Sequence, residues 1–288
     1  MRLKILSKIK TKNELTEEEE KKLVLKTLKK RTKGLKIEGV CIYGSRISGY
    51  AKSHSDYDLI VVINNYQQRI RYQYIFDQIE ISAIFVDSNA LQNDAKNGEL
   101  GEFVIGRLLN PYEPLINDDF FYKIEYEYKR RVIIETIDEL HSEYSFLIQF
   151  ILIPIDYFLF KRLRQRISIY PPVKYSYTMT YGGNQKNMNM KKSLKLFKVC
   201  LKELHTSGKI VYDNKFVRLK VKKKNSKKIY FQFRYLSRML RHYYIHILAG
   251  RVKPGIIQKE LLSKIRRNKE INQKLEHLNK PKKLLVIK

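Results

Sequence analysis

Apolar positions cluster into short strand-like runs near the front of the chain and recur at helical spacing through most of the remainder. The run 36–43 (KIEGVCIY) predicts a short strand closed by the turn signal Gly44-Ser45. A second strand is predicted over 57–63 (YDLIVVI), ended by Asn64-Asn65, and a third over 78–86 (QIEISAIFV). The stretch 66–76 between them reads as helical. Ahead of the first strand, 12–33 predicts a charged amphipathic helix. Thr16 is placed to cap it, Glu17–Glu20 suit its first turn and Lys29–Lys33 its last, and Gly34 stops it.

Beyond Asp87 the pattern turns helical until Asn110-Pro111 and Glu113-Pro114 break it, which sets a boundary near residue 118. Two long helices are expected over 119–141 and 143–168. The second contains YSFLIQFILIPIDYFLF, which approaches the length of a membrane span, but Gln149, Pro154 and Asp156 interrupt it. Spans need about 20 predominantly apolar residues, so a buried helix joining two lobes is expected, without membrane contact. Pro171-Pro172 and Gly182-Gly183 bracket a tyrosine-rich segment that reads as irregular. A helix over 191–206, a break at Gly208, and the runs KIVY and KFVRLKV joined by Asp213-Asn214 come next, with the basic tip KKKNSKK after them. Helix, glycine, then hairpin is the order of a winged helix. Helices over 229–249 and 254–277 close the pattern. The fold class expected is α+β: an α/β catalytic domain over 1–118 and a mostly helical domain over 119–288.

Composition changes this picture in one respect. Of 288 residues 43% are hydrophobic, ample for a sizeable core, and the only cysteines, Cys41 and Cys200, lie far apart in apolar surroundings. They read as buried thiols of a reducing compartment, and with no secretory pattern at the start the expected location is cytoplasmic. The charge is the informative part. Residues 1–120 carry 19 basic and 17 acidic side chains, a net of +2, whereas 121–288 carry 39 and 12, a net of +27. A lysine bias acting on the whole chain would load both parts alike. The asymmetry points to a docking region for a polyanion, since neutralised phosphates release condensed counterions.

The chemistry concentrates in YGSRISGYAKSHSDYDLIVVI, residues 43–63. Residues two apart on a strand share a face, so Asp56 and Asp58 project together at the head of the second strand. Two adjacent carboxylates at the edge of an apolar sheet repel unless a cation lies between them. Hard oxygen ligands suit Mg²⁺, which takes one or two carboxylates and fills its shell with substrate phosphates. Gly44 permits close backbone approach, the following amides suit a triphosphate, and Ser45 adds a hydroxyl donor. Two further groups stand outside this segment. Arg241 and His246 have the Arg-x4-His spacing of small helical RNases, and the tyrosines of 170–181 and 243–244 have the stacking surfaces that single-strand binders use.

This segment resembles the minimal nucleotidyltransferases of the DNA polymerase β superfamily, whose signature is a hydrophobic strand, Gly-Ser, a connection, then Asp-hydrophobic-Asp-hydrophobic. Gly44, Ser45, Arg46, Gly49, Ser55, Asp56, Asp58 and Leu59 fall where the pattern places them. Tyr57 stands where a smaller aliphatic is usual. The resemblance covers about residues 10–118. It implies Mg²⁺-dependent attack of an acceptor hydroxyl on the α-phosphate of an NTP, with pyrophosphate leaving. It also implies two Mg²⁺ ions on Asp56, Asp58 and a third carboxylate, for which Glu80 is the choice and Asp77 the alternative. Gly44, Ser45 and Arg46 are the expected nucleotide contacts. The basic region makes an RNA 3′ end, such as that of tRNA, the expected acceptor. Protein nucleotidylation as in toxin–antitoxin systems, or nucleic-acid binding without catalysis, are the alternatives.

Overall fold

The computed structural model describes residues 16–53, 55–220 and 228–250. Helix α1 (Glu17–Arg31) opens with a capping box: the Thr16 hydroxyl accepts from the Glu19 amide, and the Glu19 carboxylate accepts from the Thr16 amide at 2.8 Å. Strands β1 (Ile37–Tyr43), β2 (Tyr57–Ile63), β3 (Ile70–Phe76), β4 (Glu80–Asp87) and β5 (Glu113–Ile116) form one mixed sheet in the order β3-β4-β2-β1-β5. A single helical turn, α2 (Ser45–Ser48), separates β1 from the connection to β2.

The sheet corrects two expectations. Residues 70–76 are strand, not helix. IRYQYIF is rich in β-branched and aromatic side chains and pairs antiparallel with β4 along its whole length. The segment Glu113–Ile116, read only as a break, adds an edge strand to β1, where Pro114 is tolerated. Both faces of the sheet are covered. Tyr57, Leu59, Val61 and Ile63 pack with Val24 and Leu28 of α1. Ile60 and Val62, on the face shared by Asp56 and Asp58, pack toward the helices that follow.

Those helices are α3 (Ser88–Asn97, capped by Asp87), α4 (Asp118–Tyr144), α5 (Ile155–Ile169), α6 (Val173–Gly182), α7 (Lys186–Thr206) and α8 (Lys228–Leu248). The expected single helix over 143–168 is interrupted. After a 3₁₀ stretch at Ser145–Phe150, a two-residue strand β6 (Ile153–Pro154) intervenes, and α5 starts directly after Pro154, which cannot sit within a helix without breaking its ladder. The tyrosine-rich segment expected to be irregular is helix α6, which follows the Pro171-Pro172 pair. Helix α7 begins at Lys186, five residues earlier than expected. The hairpin β7 (Ile210–Tyr212) and β8 (Phe216–Leu219) turns at Asp213-Asn214 as expected, and β6 adds a third strand. The KKKNSKK tip, apart from Lys228 at the start of α8, and the helix expected over 254–277 lie outside the described residues. Both cysteines are buried free thiols. Among the described residues no helix is long and apolar enough to cross a membrane.

The apolar core that covers the Asp-bearing face runs without interruption from Cys41 and Ile60 through α4 and α5 to Ile245 of α8. A charge cluster is buried beside it. Glu102 and Glu135 are each paired with Arg131 of α4, Arg162 of α5 and Arg238 of α8. Burial alone would raise the pKa of Glu102, but the charges of Arg162, Arg238 and Arg131 overcome this and hold it well below the carboxylate range. Glu102→Gln is therefore expected to cost about 3–5 kcal/mol of unfolding free energy by denaturant titration, because it strands buried arginines. A depressed folded pKa makes this contribution present above about pH 4 and lost as pH falls further. The wild-type melting temperature should accordingly drop more steeply than the variant's below about pH 4. Parallel acid profiles would count against the cluster.

Candidate active site

Gly44 ends β1 with φ +84° and opens the turn to α2, whose Ser48 amide donates to Gly44 O at 3.0 Å. The chain folds this way because β1 and β2 are antiparallel and pair Tyr43 with Asp58, so the carboxylate of Asp58 lies directly over the next residue. A Cβ at position 44 would stand 2.2 Å from Asp58 Oδ2. Glycine is required here twice over, for the left-handed backbone and for this approach. Asp58 is half-buried, and Asp56 lies two residues earlier, just before the strand, at similar exposure.

Strand β4 runs parallel to β2 and pairs Ser82 with Asp58, so Glu80 falls level with Asp56, one residue before the ladder begins. Glu80 is exposed and accepts a hydrogen bond from the Tyr74 hydroxyl at 3.0 Å. The Tyr74 pKa is pushed up to about 12 by desolvation, by that bond and by the charge of Asp56, so both carboxylates act on one phenol. Asp77 sits in the β3–β4 turn. Among the described residues no group of three acidic, His or Cys side chains is gathered closely enough to hold a metal ion. The donor set present, two hard carboxylates on one strand face with one of them against a glycine turn, fits one divalent cation completed by phosphate and water oxygens.

Arg46 is directed away from this place. Its guanidinium donates to Ser55 O at 2.7 Å, pairs with Glu20 of α1 at 3.1 Å and lies 4.0 Å from the centre of the Tyr57 ring, while Tyr57 itself donates to Glu20. The unusual Tyr57 of the motif thus anchors α1 beneath the sheet.

A pocket of about 240 Å³ opens on the other side of Asp58. Gly44, Ser45, Ser48, Tyr50 and Asp58 line it together with Arg107, Arg166, Ser176 and Tyr177. The Tyr50 hydroxyl lies 2.9 Å from Ser176 Oγ and closes the gap between the sheet and α6. Burial raises the Tyr50 pKa, the Ser176 bond lowers it and the charge of Asp58 raises it again, so the phenol stays neutral near pH 7. Arg166 is buried; it donates to Tyr177 Oη at 2.8 Å and to the Glu102 carbonyl. A Cβ at Gly106 would lie 1.6 Å from its Nη1, so that glycine makes room for it. Arg107 donates to Tyr43 Oη at 2.9 Å and to Phe103 O. Neither arginine was singled out from the sequence, because both lie far from the motif, Arg166 as one of several basic residues in the run KRLRQR.

The structure does not join Arg241 and His246 in one site. Arg241 is exposed on α8, whereas His246 is buried against Phe103 and Tyr170 at ring distances of 4.5 Å, with its Nε2 3.1 Å from that of His242. The tyrosines divide as well: Tyr177, Tyr181 and Tyr243 are core, and Tyr175 and Tyr244 are exposed.

An Asp-x-Asp strand head facing a Gly-Ser turn, on a mixed sheet flanked by helices, is the arrangement of a nucleotidyltransferase. The sequence comparison agrees: residues 22–101 match the family described as Polymerase beta, Nucleotidyltransferase, and form a polymerase β-like nucleotidyltransferase domain. That family implies an NTP substrate and typically uses divalent metal ions. No curated protein matches the chain. A solved nucleotidyltransferase-like protein from Exiguobacterium sibiricum is similar over 80% of this chain and 77% of its own, at 8% identity and a TM-score of 0.30, too slight a likeness to support any inference.

The approach of Asp58 to Gly44 is open to test. Gly44→Ala should lower stability by about 1–3 kcal/mol through backbone strain and the clash with Asp58. Gly44→Ala combined with Asp58→Ala should lose less than the sum of the two single changes, because the clash is gone. Strict additivity in chemical denaturation would mean that the carboxylate does not rest on the glycine.

Proposed function

We propose that the chain transfers a nucleotide from an NTP to the 3′ hydroxyl of an RNA and releases pyrophosphate. The observation that carries this reading is one pocket lined by Asp58, the Gly44-Ser45 turn, Arg107 and Arg166. An in-line displacement at an α-phosphate needs negative ligands on the side of the attacking oxygen and positive charge around the departing phosphates. This pocket is lined by both, Asp58 and the two arginines.

In this reading Asp56 and Asp58 would hold Mg²⁺, with Glu80, level with Asp56 on β4, as the proposed third carboxylate, and the ion would supply polarisation of the α-phosphate and the acceptor hydroxyl. The Gly44 and Ser45 amides and the Ser45 hydroxyl bind the outer phosphates. Arg107 and Arg166 offset the charge that builds on pyrophosphate as the bond from the α-phosphorus to its bridging oxygen breaks. The new bond joins the acceptor oxygen to the α-phosphorus, and the carboxylate nearest that oxygen takes its proton. Pockets that bury whole drug-sized ligands run to about 300–1,000 Å³. The smaller volume here suits the triphosphate and leaves the base toward the mouth. Arg46 serves the frame of the site rather than the nucleotide.

The net +27 of residues 121–288 favours RNA as acceptor. The α7–β7–β8 order, with its basic run following, adds a winged-helix-like unit to that docking region. A cytoplasmic location is consistent with the two free buried thiols.

Incubation with each α-labelled NTP, Mg²⁺, total RNA and total protein tests the reading. Label should appear on RNA 3′ ends, with one or two nucleotides preferred, and disappear when periodate blocks the 3′ hydroxyl. Asp56→Asn and Asp58→Asn should each abolish it without lowering the melting temperature, since each removes a repelling charge. Glu80→Gln should be inactive and Asp77→Asn active. Label found only on protein and surviving RNase would replace this reading with protein nucleotidylation.

A further inference from the structure

A second, larger concavity of about 540 Å³ lies between α4, α8 and the end of α3, apart from the reaction pocket. Lys96, Arg130, Arg131, Arg234, Arg238 and Arg241 line it, against the carboxylates Glu127, Glu135 and Asp138, a net of +3. The acids beneath it cannot restore balance. Glu102 and Glu135 each already serve three guanidinium groups, those of Arg131, Arg162 and Arg238. Arg234 reaches Glu135 only at 3.8 Å. No described carboxylate lies within ion-pair distance of Lys96 or Arg241. A partly buried surplus of arginine next to open space is a receptor for anions from outside.

Two aromatic side chains specify which anion. Tyr230 and Phe233, 54% and 69% exposed, stand on the groove wall one turn apart on α8. The guanidinium of Arg234 lies 4.9 Å from the Tyr230 ring centre, and its Nη2 donates to the Tyr230 hydroxyl at 2.9 Å. A small inorganic anion has no use for exposed rings. An acidic polypeptide would satisfy the cations but offers few flat faces to stack. Phosphates with intervening bases use both features at once.

We propose that this groove binds single-stranded RNA, its phosphates on Lys96, Arg234 and Arg241 and a base stacked on Phe233; Arg130, also on the groove, is already paired with Glu203 at 3.7 Å. The proposal rests on RNA being the acceptor and assigns the surface that holds it. It also ties docking to chemistry. Arg131 and Arg238 reach Glu102 from the groove side, while Arg166 reaches the Glu102 carbonyl from the reaction pocket, so both sites bear on one buried residue.

The test is fluorescence anisotropy of a labelled, roughly 12-nucleotide single-stranded RNA with the full chain over a range of salt. The exposed pair Lys96→Glu, Arg241→Glu should weaken binding by about tenfold or more and reduce the salt slope by about 0.7 for each phosphate no longer neutralised. Phe233→Ala should weaken binding by about tenfold and leave the salt slope unchanged, as the removal of a stacking face requires. The control pair Lys26→Glu, Lys29→Glu, on the exposed face of α1, should keep wild-type affinity. Melting curves establish that all variants fold. Equal weakening by both charge pairs, or none by either, overturns the groove assignment while RNA binding itself stands. Displacement by polyglutamate as effective as by unlabelled RNA also overturns it, in favour of an acidic protein. No RNA binding by the wild type removes the RNA reading along with the groove.

Discussion

Two buried carboxylates, Glu102 and Glu135, hold guanidinium groups from α4, α5 and α8 at the same time, and the positions of both clefts follow from that constraint. Burying so many charges costs several kcal/mol for each ion unless each is paired with good geometry, so the cluster tolerates few arrangements of the helices around it. Its centre is set locally. The carboxylate of Asp94, at the end of α3, accepts from the amides of Leu100 and Glu102 at 2.9 and 3.0 Å and winds the chain into a tight loop with positive φ at Gly98, Gly101 and Glu102. Gly101 packs so closely on α8 that a Cβ there would stand 2.3 Å from the His242 amide nitrogen. Glu102 is thereby pinned where three helices converge.

The reaction pocket depends on this cluster from one side and on the sheet from the other. Pairing of β1 with β2 places Asp58 over Gly44, and the resulting wall is acidic. The pocket lining also carries a cation, because Arg166, held by the Glu102 carbonyl and Tyr177, occupies the space left by Gly106. Asn189 of α7 stitches the walls together, donating to Ser48 O of α2 and Thr180 O of α6 at 2.9 Å each. The helical part is therefore a structural half of the pocket.

Much of the front of the molecule was legible because its signals are local. The cap at Thr16, the strand 57–63 and the shared face of Asp56 and Asp58 follow from period and turn chemistry alone. Residues 70–76 were read as helix, whereas pairing with β4 along the whole of IRYQYIF fixes the strand. Arg46 fits the motif by position, yet its orientation is decided by Glu20, 26 residues earlier, which no spacing rule reveals. Arg107, Arg166 and the groove on α8 were illegible for the same reason. Their roles arise from contacts across 60 or more residues, such as Arg166 with Glu102, and nothing in the local sequence marks them.

The central claim is that the space between Asp58 and Arg166 is the reaction centre. A crystal structure with Mg²⁺ and an NTP whose α,β bridging oxygen is replaced by a methylene tests it most directly. The α-phosphate should lie beside Asp56 and Asp58, the outer phosphates along Gly44-Ser45 toward Arg107 and Arg166, and the α4–α8 groove should be free of nucleotide. An analogue bound with its triphosphate in the α4–α8 groove and none at Asp58 would contradict it.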